Sequence, residues 1–192
     1  MLDAPKRGNL YLALLHYSVY NKNERVVTTA LTNLDIHDIA RAARTFGIAK
    51  YYLVTPLIKQ QELAKSILAH WSSGFGAKYN PKRKEALKLV SISNSLNDVC
   101  EDIFTYWGIK PKIIATDAEF FETSIDYVSL KKLIEEGSQP YLLLFGTGWG
   151  VTEDIIRNSD YVLSPVRGGS DYHHLSVRSA AAIILDRLLG AR

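Results

Sequence analysis

Short apolar runs alternate along this chain with longer stretches whose apolar positions return every three or four residues. Asn9 to Val19, rich in Leu and Tyr, reads as a first buried strand. Lys50 to Val54, Leu89 to Ser93, Lys112 to Ala115, Tyr141 to Phe145 and Tyr161 to Leu163 read as five more. Helical period covers Leu34 to Phe46, with Thr32-Asn33 as cap and Gly47 as stop. It returns in Gln60 to Trp71, in Leu96 to Trp107 before Gly108, in Val128 to Glu136 before Gly137, and in Leu175 to Leu189. Two shorter helices are expected: Lys82 to Lys88 behind Pro81, and Thr152 to Asn158, where Thr152 caps Glu153 and Asp154. Strands alternating with helices predict an α/β fold, a mostly parallel sheet with helices on both faces. With no repeat or linker in view, residues 1–192 read as a single domain.

Composition narrows the class. At 192 residues and 47% hydrophobic, the chain can bury a sizeable core. It has no apolar run of about 18 residues, so no membrane span is expected. Met1 to Asn9 has no apolar stretch of the secretory kind. The lone Cys100 fits a reducing compartment and a cytoplasmic protein, and reads as a small core residue. A net charge of +3 does not by itself mark a nucleic-acid binder. Its distribution adds something, since Lys78, Lys82, Arg83 and Lys84 fall within seven residues. They follow Trp71, Phe75, Gly74 and Gly76, and cations mixed with aromatics in a flexible loop can grip phosphates and stack on bases. A solvated loop has the same composition.

Two glycine-rich turns follow strands in the last third: Gly146-Thr147-Gly148-Trp149-Gly150, and Ser164 to Ser170 with Gly168-Gly169. A buried strand ending in glycine offers peptide groups unobstructed by side chains, and open α/β sheets hold ligands at such ends. The first turn reads as a ligand cradle or as a mere tight turn, the second as a closing loop or a flexible one. Trp149 reads as a packing residue. In the first helix Ile36, Ile39, Ala40, Ala43 and Phe46 form the buried stripe. His37, Arg41 and Arg44 share another face, either solvated or aimed at a phosphate. Asp35 and Asp38 sit near the helix N-terminus, where carboxylates are favoured. His173-His174, taken with His37 and Asp38, has no metal-ligand spacing, so no metal is expected.

Asp35 to Gly47 resembles the first motif of the SPOUT RNA methyltransferases, with Arg41, Ala43 and Phe46-Gly47 matching, Asp35 (or Asn33) at the family Asn and His37 at its glycine. Leu143 to Val151 looks like the second motif, an apolar strand running into Phe-Gly, without the acidic residue common there. Tyr161 to Ile184 resembles the third, with His174-Leu175-Ser176 where Ser-Leu-Asn usually stands. Ile113 to Thr116 resembles the strand end that also meets the cofactor. Asp160 to Gly169 is similar to the tRNA guanine-N1 methyltransferase branch, and the chain to stand-alone domains sometimes fused to that enzyme.

The resemblance implies a C-terminal trefoil knot, S-adenosylmethionine in a cleft under it, a homodimer whose cleft borders the partner, and an RNA substrate (tRNA or rRNA, at a base nitrogen or ribose 2′-hydroxyl). It implies catalytic roles for Arg41 and, as base, Asp35. Cofactor contacts then fall to Thr116, to Gly146, Thr147, Gly148 and Gly150, to Val162, Leu163 and Ser164, to Gly168, Gly169 and Ser170, and to Leu175 and Ser176. RNA contacts fall to Lys78, Lys82, Arg83, Lys84 and Arg44. The departures at Asp35, Gly148 and Ser176 leave a second reading, a non-catalytic RNA-binding or dimerising module of the same fold. A different α/β nucleotide binder is a third, although the glycines lie late and lack G-x-G-x-x-G or a Lys-Ser/Thr ending.

Overall fold

The computed structural model describes residues 8–191. Its frame is a six-stranded parallel sheet of β1 (Leu10–Leu15), β4 (Tyr51–Val54), β5 (Val90–Ser93), β6 (Lys112–Thr116), β7 (Tyr141–Gly146) and β8 (Tyr161–Leu163). The strand order is β5-β4-β1-β7-β6-β8, with Leu12 opposite Tyr51 on one side and Leu143 on the other. The central strands β1, β4 and β7 are buried on both faces, which is why they read as continuous apolar runs rather than alternating ones.

The pleat divides the core in two. Leu10, Leu12 and Leu14 face α1 (Asn33–Thr45), α6 (Tyr127–Glu136) and α8 (Val177–Leu189), whose Ile36, Leu130 and Leu185 join the same cluster. Tyr11, Ala13 and Leu15 face α5 (Leu96–Trp107) and α7 (Glu153–Arg157), through Val99, Ile103 and Ile156. Thr32 caps α1 by accepting from the Asp35 N–H at 3.1 Å, and Ser176 caps α8 by accepting from the Ser179 N–H at 3.3 Å. Gly108 ends α5 in the left-handed conformation at φ 73°.

Three expectations change. The expected strand from Asn9 to Val19 stops at Leu15, because from Val19 the backbone finds other partners: β2 (Val19–Tyr20) pairs antiparallel with β3 (Val26–Val27). The Asn21 side chain closes that hairpin by accepting from the Asn23 and Arg25 N–H groups. The basic segment is not a flexible loop. After α2 (Ile58–Ser72) come two short helices, α3 (Phe75–Tyr79) and α4 (Pro81–Leu87), the latter capped by Asn80. Ala86 and Leu87 are buried against α1, and that packing fixes the segment. The last helix opens at Val177 rather than Leu175, since Ser176 takes the cap.

Candidate functional site at the carboxyl ends of the strands

The strands run in parallel, so their C-terminal ends gather on one side, where a ligand of an open α/β sheet is held. A cavity of about 700 Å³ opens there, within the roughly 300–1,000 Å³ range of small-molecule sites. It is lined from Thr29 to Asp35 around the start of α1, Thr116 to Glu119 after β6, Phe145 to Gly150 after β7, Val166 after β8, and His173 to Ile184 into α8.

The turn after β7 is fastened to the β2–β3 hairpin. Trp149 N–H donates to Tyr20 C=O, and Tyr20 N–H donates to Gly150 C=O, both at 3.0 Å. Gly148 is left-handed at φ 62°, and a Cβ there would stand 2.7 Å from the Tyr20 carbonyl. A Cβ on Gly146 would stand 2.7 Å from the Val151 nitrogen. These two glycines are therefore required by close backbone packing. Gly150, at φ 95°, faces the Asp117 carboxylate.

Beneath the turn runs a chain of hydroxyls. Thr147 Oγ1 donates to Leu15 C=O at 3.0 Å and lies 2.5 Å from Thr29 Oγ1, which lies 3.0 Å from His16 Nδ1. If every hydrogen is used once, Thr29 donates to Thr147 and His16 Nδ1–H donates to Thr29. The other ring nitrogen of His16, Nε2, then carries a lone pair with no partner among the described residues. Burial holds the imidazole down to a pKa of about 4, only partly offset by the Asp35 charge.

Across the cavity Arg178 Nη1 donates to Asp35 Oδ1 at 2.8 Å, and its Nε lies 3.7 Å from Asp38. Asp35 is 4% exposed. Its carboxylate is thus engaged by a cation rather than open as a base. Asp117 and Glu119 bring two more carboxyl groups to the wall, and burial pushes the Asp117 carboxyl up.

Of the residues expected to hold a cofactor, Thr116, Gly146, Thr147, Gly148, Gly150, Leu175 and Ser176 line this cavity. Val162, Leu163 and Ser164 do not. Ile125 takes their backbone, its N–H donating to Val162 C=O and its C=O accepting from Ser164 N–H. Gly168, Gly169 and Ser170 are exposed and off the cavity, with open space around both glycines. Trp149, expected to pack, is 66% exposed at the rim, because the turn is held by its peptide groups.

The expected cationic strip is also divided. Arg41 is exposed on α1 and makes no ion pair among the described residues. Arg44 is bound to Glu85 of α4, and His37 is buried edge-on against Trp71. Sequence reasoning missed His16, Thr29, Asp117, Glu119 and Arg178. Each is a polar residue just past a strand end or at a helix start, and that position was the available signal.

Comparisons with known proteins show the family and the fold. Residues 9–190 match the model of a family described as SAM-dependent RNA methyltransferase. A protein of Aquifex aeolicus, itself uncharacterised, is 41% identical over 94% of this chain and 88% of its own length. A tRNA (guanine-N(1)-)-methyltransferase of Oleidesulfovibrio alaskensis is 44% identical over 95% of this chain, which spans only 42% of that relative. Among solved structures, a probable methyltransferase from Bordetella pertussis aligns with a TM-score of 0.62 at 12% identity, covering 94% of this chain and 92% of that one. The SpoU methyltransferase AviRb of Streptomyces viridochromogenes, solved with AdoMet, aligns with a TM-score of 0.57 at 17% identity, over 96% of this chain and 58% of that one. At such identities the likeness is one of fold.

Proposed function

Since the chain belongs to the S-adenosylmethionine-dependent RNA methyltransferase family, we propose that the cavity at the carboxyl ends of β1, β6 and β7 holds the methyl donor. There the chain would methylate a tRNA or rRNA nucleotide, at a base nitrogen or a ribose 2′-hydroxyl. The observation that carries this reading is the cavity wall itself. A glycine turn fixed by the hairpin, with Asp117, Glu119 and Arg178 around it, borders about 700 Å³ of space, room and charge for a small ligand that carries both signs.

The donor, when bound, supplies a methyl group already activated by a positively charged sulfur, so the protein needs chiefly to align it. The peptides of Gly146 to Gly150, with Thr116, would hold its polar edges. Asp117 and Glu119 suit a cationic group. Arg178 and the N-terminus of α8 suit a carboxylate. Asp35 would hold Arg178 in place. Arg41 and the lysines Lys78, Lys82 and Lys84 would guide the RNA, with Arg83 and Arg44 fixing the helices that carry them.

Two further parts belong to the same reading. The segment from Ser164 to Ser176 joins edge strand β8 to α8, which packs on α1 and α6, and such a crossing suits a chain threaded into a trefoil knot. The exposed Trp149, Tyr172 and Leu175 suit a second copy bordering the cleft in a homodimer. The tRNA guanine-N1 name of the longer relatives concerns proteins more than twice this length, and it supports tRNA only as a substrate class.

Incubating the chain with labelled donor and total RNA, then identifying the modified nucleoside by mass spectrometry, tests this function. One methylated nucleoside is expected. Absence of label from tRNA and rRNA alike would refute it.

A further inference from the structure

Away from the cavity lining lies an aromatic and basic surface. Phe75 and Tyr79 on α3 are 76% and 78% exposed, yet their rings are stacked, with centroids 6.0 Å apart and planes 20° from parallel. Two large exposed rings fixed to each other are costly to leave in water, and a soluble surface rarely keeps them without a partner. They are held rigidly. A Cβ on Gly76 would stand 2.7 Å from the Trp71 ring, so α3 sits directly on Trp71. On the same indole the Arg83 guanidinium lies 4.5 Å from the ring centroid.

The chain that carries these rings is basic, and the nearest acids on the flanking helices, Glu62 and Glu85, are each paired with a cation. From Lys65 to Lys84 the chain has five cations and no acid. The surface is joined to α1. Trp71 meets His37 edge-on at 5.3 Å, on the first turns of α1, two residues from Asp35 on the cavity wall. Arg83 and Arg41 both stand near enough to depress His37, after burial itself. Trp71 and Arg83 therefore join the platform to α1, whose first turn carries Asp35 on the cavity wall.

We infer that α3 is a base-stacking platform, on which unpaired nucleotides beside the target lie against Phe75 and Tyr79 while Lys78, Lys82 and Lys84 meet their phosphates. The inference rests on the RNA reading above and names the form of RNA taken. Exposed rings accept the face of any unstacked base, whereas the bases of a duplex are already stacked on each other, so the platform selects single strands.

Fluorescence anisotropy of the full chain with a labelled single-stranded RNA and with the same sequence as a duplex tests it. The wild type should prefer the single strand. The double variant Phe75→Ala/Tyr79→Ala should bind it about tenfold more weakly with an unchanged salt slope, and Phe75→Trp/Tyr79→Trp should restore binding. Lys78→Gln/Lys82→Gln/Lys84→Gln should instead reduce the salt slope by about 2. Unchanged affinity in the alanine variant would overturn the platform, as would a wild type that favours the duplex. So would sedimentation showing that the alanine variant loses a dimer, since the rings would then be an interface between copies. Total RNA methylation separates the two ideas. A chain that methylates RNA but binds single strands equally well without the rings loses only the platform, whereas a chain that transfers no methyl group to RNA loses the function it rests on.

Discussion

His16 is a histidine that burial holds neutral. Its folded pKa of about 4 lies below the ordinary 6.5, so between those values the unfolded chain takes up a proton that the fold refuses. Stability is therefore complete above pH 6.5 and falls as pH drops toward 4, by on the order of 3 kcal/mol from this group. His37, also lowered, acts in the same direction. Urea denaturation across that range should show the loss, and His16→Asn, which can still bond Thr29 but does not titrate, should flatten it. Asp35 tests a second balance. Arg178→Ala leaves a carboxylate that is 4% exposed without its 2.8 Å partner, and because Arg178 itself is partly solvated the expected cost is about 2 kcal/mol, read as a lowered unfolding temperature. Removing both, in Asp35→Asn/Arg178→Ala, should recover part of it. Neither pairing was legible in the sequence, because Asp35 and Arg178 lie 143 residues apart and only the fold brings them together.

At the scale of elements the sequence was clear where burial was complete. The strands Tyr51–Val54, Tyr141–Gly146 and Tyr161–Leu163 and the helix Leu96–Trp107 stand within a residue of where periodicity puts them. It was silent where pairing is brief: the two-residue strands of the Val19–Val27 hairpin have no period to detect. It misread Phe75–Tyr79 because Gly74 and Gly76 suggested a loop, whereas Gly76 is there to let α3 close on Trp71. The same physics explains the glycine turn, half legible as a ligand cradle, although the packing against Tyr20 that shapes it was not. Gly148→Ala forces an L-residue to φ 62° and a methyl to 2.7 Å from a carbonyl, so a loss of about 2 kcal/mol is expected. Differential scanning fluorimetry would measure it, and donor affinity should fall at least tenfold as the wall is displaced.

For the molecule as a whole, the family and the fold agree, a cavity opens at the carboxyl ends of the strands, and the helices that bear cations lie around α1. Arg41→Ala should cut methyl transfer to RNA at least a hundredfold and leave donor affinity nearly unchanged, because the residue stands off the cavity on an exposed face. Retained transfer would show that Arg41 does not guide the RNA into the site. Everything turns on what the cavity holds. Titration calorimetry of the wild type with S-adenosylmethionine and, separately, with ATP asks this directly. Saturable binding of the sulfonium compound at one site per chain, weakened in Gly148→Ala, with no heat from ATP, is the predicted result. Preference for ATP, or no binding of the methyl donor by the intact fold, would contradict it.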